Sequence, residues 1–302
     1  MITDKELKEK AEQTRERIKD WYEAWDGQVY TSFSGGKDST LLLHLAREVH
    51  PNIPGVFADT GLEAPEIRDF VKSYSKITWL KPNMHFTQVI SQHGYPVISK
   101  KTAEKVERIK NPNKSPKSSK LHLIGIRSDG AYKPSNKIQD KWKFLIHAPF
   151  KISPKCCEEL KKKPFHKFEK ETNSVPIIGM TMGDSEQRKK VLVCNRYDTN
   201  HPTSNPLYDW KEEEILHYLK IKNIPLSSIY NMGWKRTGCM FCMFGIHMED
   251  TPNRFQKMYY THPKLWKYCI YKLGIGEVLR YIGIDYFPHK PISEFFIKSK
   301  TG

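Results

Sequence analysis

Three observations predict an α/β fold: a parallel sheet with helices on both faces, followed by a mostly helical C-terminal extension. Short β-prone runs alternate with helix-period runs across residues 28–80. A glycine-bearing hexapeptide, residues 34–39, joins the first such run to an apolar helical stretch. Residues beyond 245 are rich in aromatics and predicted to be helical in part. Alternation of strands and helices favours parallel strands covered on both faces.

The elements follow in order. Thr3-x-x-Glu6 is a capping box that opens a helix. Leu7, Ala11, Ile18, Trp21, Tyr22 and Trp25 then recur at helical spacing, and Gly27 is a natural stop. Residues 28–33 read as a strand, and Leu41, Leu42, Leu43, Leu45 and Ala46 as the apolar face of the next helix. A second strand is expected at 55–58, a helix near 65–71 and a third strand at 77–80. Between 100 and 153 the pattern decays, and residues 111–120, polar, basic and proline-containing, read as a mobile loop. A buried strand is expected at 175–180 and a helix over 210–221. This gives an N-terminal helix at 1–27, a main domain at 28–245 with a basic insertion at about 100–153, and a helical extension at 246–302.

The 302 residues, 38% hydrophobic and 12% aromatic, can bury a core and do not resemble a disordered chain. No apolar run approaches the ~20 residues of a membrane helix, and the polar start lacks an apolar signal core. The expectation is a cytoplasmic protein with no membrane partner. Lys and Arg number 50 against 34 Asp and Glu, a net charge of +16. Residues 100–170 hold 20 Lys/Arg against 7 Asp/Glu, so an excess of 13 is concentrated there. Such a segment suits a polyanion such as nucleic acid, and equally suits a solvated, lysine-rich surface.

Ser34-Gly35-Gly36-Lys37-Asp38-Ser39 lies where a strand hands over to a helix. Two glycines allow a sharp turn and close approach of a ligand. Helix N-terminal N–H groups attract an anion, and two hydroxyls and a lysine add donors. The hexapeptide matches the PP-loop, Ser-Gly-Gly-x-Asp-Ser, and the chain resembles the adenine-nucleotide α-hydrolase-like superfamily. Asp59-Thr60-Gly61, after the second strand, fits the same superfamily. The resemblance implies ATP or a related adenylyl nucleotide, often opened between its α- and β-phosphates, with Mg²⁺ a compatible companion. It implies nucleotide contacts at Ser32, Ser34, Gly35, Gly36, Lys37, Asp38, Ser39, Asp59, Thr60, Gly61 and Gly179.

Six cysteines in a chain without a signal core point to metal or redox chemistry rather than disulfides. Cys194, in an apolar run, and Cys269, between aromatics, read as core thiols. Cys156-Cys157 and Cys239-Met240-Phe241-Cys242 form a set of four. An adjacent pair strains a single-ion chelate but suits the several corners of a [4Fe–4S] cluster; structural zinc is the alternative. Around them, Cys156-Cys157-Glu158-Glu159-Leu160-Lys161, Asn205-Pro206-Leu207-Tyr208-Asp209-Trp210, Ile224-Pro225, Tyr230-Asn231-Met232-Gly233-Trp234 and Arg236-Thr237-Gly238-Cys239 resemble the phosphoadenosine phosphosulfate (PAPS) reductase family, in the branch that carries Cys-Cys…Cys-x-x-Cys and a [4Fe–4S] cluster.

The chain departs from that family in two places. The Glu-Cys-Gly-Leu-His segment, whose cysteine attacks the sulfate sulfur, is absent from it. The family's Gly-x-Arg stretch reads Gly179-Met180-Thr181-Met182 here, leaving Arg188 as the candidate phosphate or sulfate contact. With Lys37, Asp38 and Asp59, Arg188 completes the implied catalytic set. DNA-phosphorothioating and tRNA-thiolating relatives fit that omission. The resulting expectation is ATP cleavage in support of sulfur transfer, with nucleic acid as one acceptor and a sulfur-donor or thiol-reductant protein as partner. The alternatives are a PAPS or adenylylsulfate reductase using an external thiol, and a non-catalytic nucleotide- or nucleic-acid-binding protein with a structural Fe–S or Zn site.

Overall fold

The computed structural model describes residues 3–113, 116–182 and 194–288. Arg188 and Lys114 lie outside the described residues. The chain begins with α1 (Asp4–Ala24), β1 (Val29–Ser32), α2 (Lys37–Val49), β2 (Gly55–Ala58), α3 (Pro65–Lys72) and β3 (Ile77–Leu80). It continues with α4 (Phe86–Gln92), β4 (Val97–Ile98), α5 (Lys100–Lys110), α6 (Pro116–Ile124), α7 (Lys163–Thr172) and β5 (Val175–Ile178). Next come β6 (Asn195–Arg196), β7 (Thr203–Ser204), α8 (Glu212–Ile221), β8 (Met243–Phe244), α9 (Arg254–Thr261), α10 (Pro263–Lys267) and α11 (Ile275–Tyr281). Contacts divide these into two compact units: Met1–Asp59, Glu63–Lys81 and Lys163–Gly238 form the first, and Thr60–Leu62, Pro82–Lys162 and Cys239–Gly302 the second.

The first unit holds a sheet in the order β3-β2-β1-β5-β7-β6. Its pairs are parallel except β6 with β7. In the central strand Thr31 sits opposite Gly55 on one side and Ile177 on the other. Successive side chains of β1 serve opposite faces. Val29 joins the buried cluster of α1, α2 and α8 around Trp21, Leu42 and Leu219. Tyr30 packs on Phe165 and Phe168 of α7, and its hydroxyl donates to Glu169 at 2.7 Å. Helices therefore cover both faces, as the alternation of elements predicts.

The predicted N-terminal helix is a structural part of this unit. Thr3 and Glu6 close the capping box, and Leu7, Ala11, Thr14, Ile18 and Trp21 are its buried stripe. Lys10 pairs with Glu214 at 2.6 Å, and Trp210 Nε1 donates to Thr14 Oγ1 at 2.9 Å. Truncating a fully buried member such as Leu7 to Ala is expected to cost about 2–5 kcal/mol.

The second unit pairs β4 with β8 in parallel, Val97 opposite Met243 and Ile98 opposite Phe244. Ser99 caps α5, whose Ala103, Val106 and Ile109 are buried. Residues 116–120 do not form the expected loop: they belong to α6, which begins at Pro116. Proline at a helix start sacrifices no hydrogen bond, and Arg108 donates to Ser118 Oγ at 2.8 Å, so tertiary contact overrides a loop-like composition. The expected helices after 245 are present as α9, α10 and α11. Cys269 is fully buried as predicted, whereas Cys194 is half-buried, its Sγ 3.1 Å from Asn195 Oδ1. Among the described residues no helix is long and apolar enough to cross a membrane.

Candidate functional site

The chain must turn between the end of β1 at Ser32 and the start of α2 at Lys37. Gly35 does so at φ +71°, a conformation that other residues adopt only with strain. Gly36 has an ordinary φ of −84° and is required for space instead: a Cβ there would lie 2.4 Å from Thr237 Oγ1. Gly179, just past β5, lets that strand end approach the loop, since its Cβ would meet the Asp38 carbonyl oxygen at 3.2 Å. β1 and β5 are neighbours in space but far apart in sequence. Open α/β sheets bind ligands beyond the carboxyl ends of strands at such a switch point.

The loop's hydroxyls hold it closed. Ser39 Oγ accepts the Ser34 N–H at 3.1 Å, donates to the Gly36 carbonyl at 3.0 Å, and lies 3.0 Å from Ser34 Oγ. Lys37 Nζ sits 3.1 Å from Asp38 Oδ1 and 3.5 Å from Glu212 Oε1. Burial works against its charge, but Asp38 first and Glu212 next outweigh it and leave the ammonium pKa raised. The Lys37 N–H donates to Tyr230 Oη at 2.8 Å. Burial pushes the Tyr230 phenol up, opposed by hydrogen bonds from that N–H and from Thr237. With one lone pair accepting the Lys37 N–H, the phenol proton is still there to donate.

A cleft of about 710 Å³ opens above the loop. Of the candidate nucleotide contacts, Ser32, Ser34, Gly36, Lys37, Asp38, Ser39 and Gly179 line it. Asp209, Glu212, Tyr230, Arg236 and Thr237 line the facing wall. Arg17 grips Asp209 with two hydrogen bonds of 3.0 and 3.1 Å. Asp59, Thr60 and Gly61 are not among the cleft's lining residues. Asp59 accepts from Arg68 Nη2 at 2.8 Å. Thr60 and Gly61 belong to the second unit, where Thr60 Oγ1 accepts the Leu62 N–H and lies 4.0 Å from Cys239 Sγ. Glu212, Tyr230 and Thr237 were not singled out from sequence as site residues. Tyr230 and Thr237 lie in stretches that resemble the family, whereas Glu212 carried no signal.

All four paired cysteines lie in the second unit. Cys156 and Cys157 occupy a helical turn that widens into a π-helical turn at Glu158–Lys162; such bulges recur at functional sites. Cys239 and Cys242 flank a turn pinned by Met240 N–H to the Leu62 carbonyl at 2.8 Å and by Arg254 Nη1 to the Cys242 carbonyl at 2.8 Å. Burial raises the Cys156 thiol pKa, and the charges of Cys239, Cys157 and Cys242 raise it further. The four thiols thus come within electrostatic reach of one another. Among the described residues no group of three or more His, Cys, Asp or Glu is arranged to hold a single metal ion. An all-thiol donor set, with Cys156 buried and Cys157, Cys239 and Cys242 half-buried, fits an Fe–S cluster, in which each sulfur takes its own iron corner.

The basic segment is less free than its count suggests. Lys105 donates to the Ser135 and Lys137 carbonyls, and Lys110 to those of Ala148 and Phe150. Burial lowers both ammonium pKa values.

Residues 28–244 match the phosphoadenosine phosphosulfate reductase domain. The chain belongs to that family. An adenosine 5′-phosphosulfate reductase of Bacillus cereus is 24% identical over 73% of this chain and 75% of its own length. An uncharacterized protein of Methanocaldococcus jannaschii is 23% identical over 89% of this chain and 52% of its own, and a second is 25% identical over 83% and 42%. This PAPS reductase-family chain therefore spans about half the length of those two archaeal relatives. Among solved structures, a PAPS reductase of Candida auris in phosphate complex is similar at a TM-score of 0.44, with 13% identity over 79% of this chain and 96% of that one. A tRNA thiolase of Methanococcus maripaludis with its [4Fe–4S] cluster is similar at 0.38, with 13% identity over 95% and 84%.

Proposed function

We propose that this PAPS reductase-family protein binds an adenine nucleotide in the cleft over residues 34–39, opens ATP between its α- and β-phosphates, and thereby supports sulfur transfer to an acceptor such as nucleic acid. The observation that carries the reading is the closed loop itself. Gly36 leaves room at the N-terminus of α2, an end that favours an anion, and Lys37 supplies a held positive charge. In this reading the phosphates take the place above Gly36 and Lys37. The Lys37 ammonium then offsets charge that develops on the departing pyrophosphate. Asp38 orients that lysine, and its carboxylate would help hold Mg²⁺. Tyr230, held by the Lys37 N–H, donates its proton to a phosphate oxygen.

Cys156, Cys157, Cys239 and Cys242 would hold a [4Fe–4S] cluster, which would supply redox-active or sulfur-binding iron. Their own part is to converge as four thiolates whose mutual repulsion a cationic centre relieves. A second reading, reduction of PAPS or adenylylsulfate with an external thiol, is favoured by the reductases among the curated relatives. Anaerobic purification followed by iron and sulfide analysis and a nucleotide panel separates the two. Pyrophosphate released from ATP supports the first. Sulfite released from PAPS or adenylylsulfate with thioredoxin supports the second and overturns the first. Turnover of neither leaves a binding protein.

A further inference from the structure

A second, smaller cavity of about 230 Å³ lies in the second unit beside Cys239. Phe86, Phe241 and Leu273, each 5% exposed, form its apolar floor. Tyr268, 44% exposed, stands at its mouth. Phe241 lies between two rings, with centroids 6.3 Å from Phe86 and 6.3 Å from Tyr268. Thr60 and His85 add polar groups to this aromatic lining, and Thr60 Oγ1 is the atom 4.0 Å from Cys239 Sγ. The volume falls below the roughly 300 Å³ at which whole small-molecule sites begin. It accommodates one flat ring that packs on aromatic faces and offers a polar edge to a hydroxyl and an imidazole.

The surface next to this mouth has a sign. Residues 257–276 contain four lysines and no Asp or Glu. Lys264, Lys267 and Lys272 are exposed, and Tyr271 is 63% exposed among them. Exposed aromatics interleaved with lysines suit a single strand, whose bases stack while its phosphates meet the charges. A duplex keeps its bases stacked and cannot present one to the cavity without flipping it out.

We propose that this cavity seats one unstacked base of a single-stranded nucleic acid, with Tyr268 as its stacking wall and Tyr271, Lys264, Lys267 and Lys272 as the track for the adjoining strand. The proposal rests on the reading of nucleic acid as sulfur acceptor, and it names where that acceptor docks.

The test is fluorescence anisotropy of the full chain with labelled single-stranded RNA and DNA oligonucleotides and with a duplex, across a salt series. Tyr268→Ala should weaken single-strand binding by about 5-fold to 100-fold, the range for loss of one stacked base. Tyr268→Phe should restore it. The Lys264→Ser/Lys267→Ser/Lys272→Ser variant should flatten the log–log salt slope by about 2, at roughly 0.7 per single-strand phosphate contact. The better of the RNA and DNA arms identifies the source of the strand. Unchanged affinity in Tyr268→Ala, or a duplex bound as tightly as the single strand, overturns the base seat and leaves the acceptor reading standing. No oligonucleotide binding by the parent chain at low salt removes nucleic acid as acceptor, and this inference with it.

Discussion

The loop at residues 34–39 and the set of four cysteines are both built to meet charge, but by opposite means. In the loop, every conspicuous polar group has a partner within the chain: Ser39 closes on Ser34 and Gly36, Lys37 on Asp38 and Glu212, and the Lys37 N–H on Tyr230. Such a site is preorganised, and a ligand entering it displaces weak contacts from a shape already formed. The thiols are brought together by turns and helices that pack for other reasons. Burial disfavours the charged form of Cys156 and Cys242 that would bind metal, and the neighbouring thiols add to the penalty. The comparison teaches that the first site can be complete as folded chain, whereas in the second Cys156 and Cys242 resist becoming thiolates, a penalty that a cationic centre would relieve.

The largest effect that tests this contrast is expected at Gly36. Gly36→Val places a branched side chain where even a Cβ falls 2.4 Å from Thr237 Oγ1. It should lower ATP affinity by about 100-fold or more in isothermal titration, about 2.7 kcal/mol, with iron content unchanged. Gly36→Ala should cost about tenfold, and adding Thr237→Ala should recover most of it, because the obstruction is one side chain. Failure of the second change to rescue would assign Gly36 to backbone conformation rather than room.

The mirror experiment is Cys157→Ser. Iron and sulfide per chain, measured after anaerobic purification, should fall to near background, while ATP affinity shifts by less than about threefold. Loss of ATP binding in that variant would break the contrast by showing that the cleft depends on the thiols. Zinc without sulfide in the parent chain would replace the cluster with a structural ion.

Tyr230→Phe sharpens the account of the loop. It removes a donor into the cleft and an acceptor for the Lys37 N–H. ATP affinity should fall by about fivefold to tenfold, and stability to denaturant by about 1 kcal/mol. A loss of stability with unchanged affinity would make Tyr230 a structural partner of α2 alone.

The smallest effect concerns pH. His44 of α2 lies 3.1 Å from Glu48, and burial, despite that carboxylate, holds its pKa below the usual histidine value. The folded state therefore prefers neutral His44. Its contribution is present above about pH 6.5 and is lost as pH falls through the lowered folded value. Thermal midpoints should drop on acidification from pH 7 to 5, and His44→Gln should make that drop shallower.

Much of the first unit was legible in the sequence because its signals are local. The capping box at Thr3, the stripe from Leu7 to Trp21 and the hexapeptide at 34–39 each declare themselves within a few residues. Ser34, Gly36, Lys37 and Ser39 line the cleft because a strand, a turn and a helix in that order leave them nowhere else. The facing wall was not legible as a wall. Glu212 and Tyr230 reach the loop from distant chain positions, and no spacing rule connects either with residue 37.

The segment at 111–120 failed for a related reason. Its composition reads as loop, yet from Pro116 it is helix, because Arg108 and the packing of α5 supply contacts that composition does not encode. The charge count over 100–170 likewise does not tell free lysines from engaged ones: Lys105 and Lys110 donate to backbone carbonyls.

The sequence by itself determined which local pieces exist: the strands, the glycine turn, the amphipathic helices and two cysteine pairs. Only the tertiary structure decided which pieces share a surface. It placed Thr237 above Gly36, Thr60 beside Cys239, and Phe86, Phe241 and Tyr268 around one cavity. The physical reason is range. Backbone propensity and side-chain periodicity act over one or two turns, whereas burial of apolar surface is indifferent to separation along the chain and unites whatever faces the fold can cover.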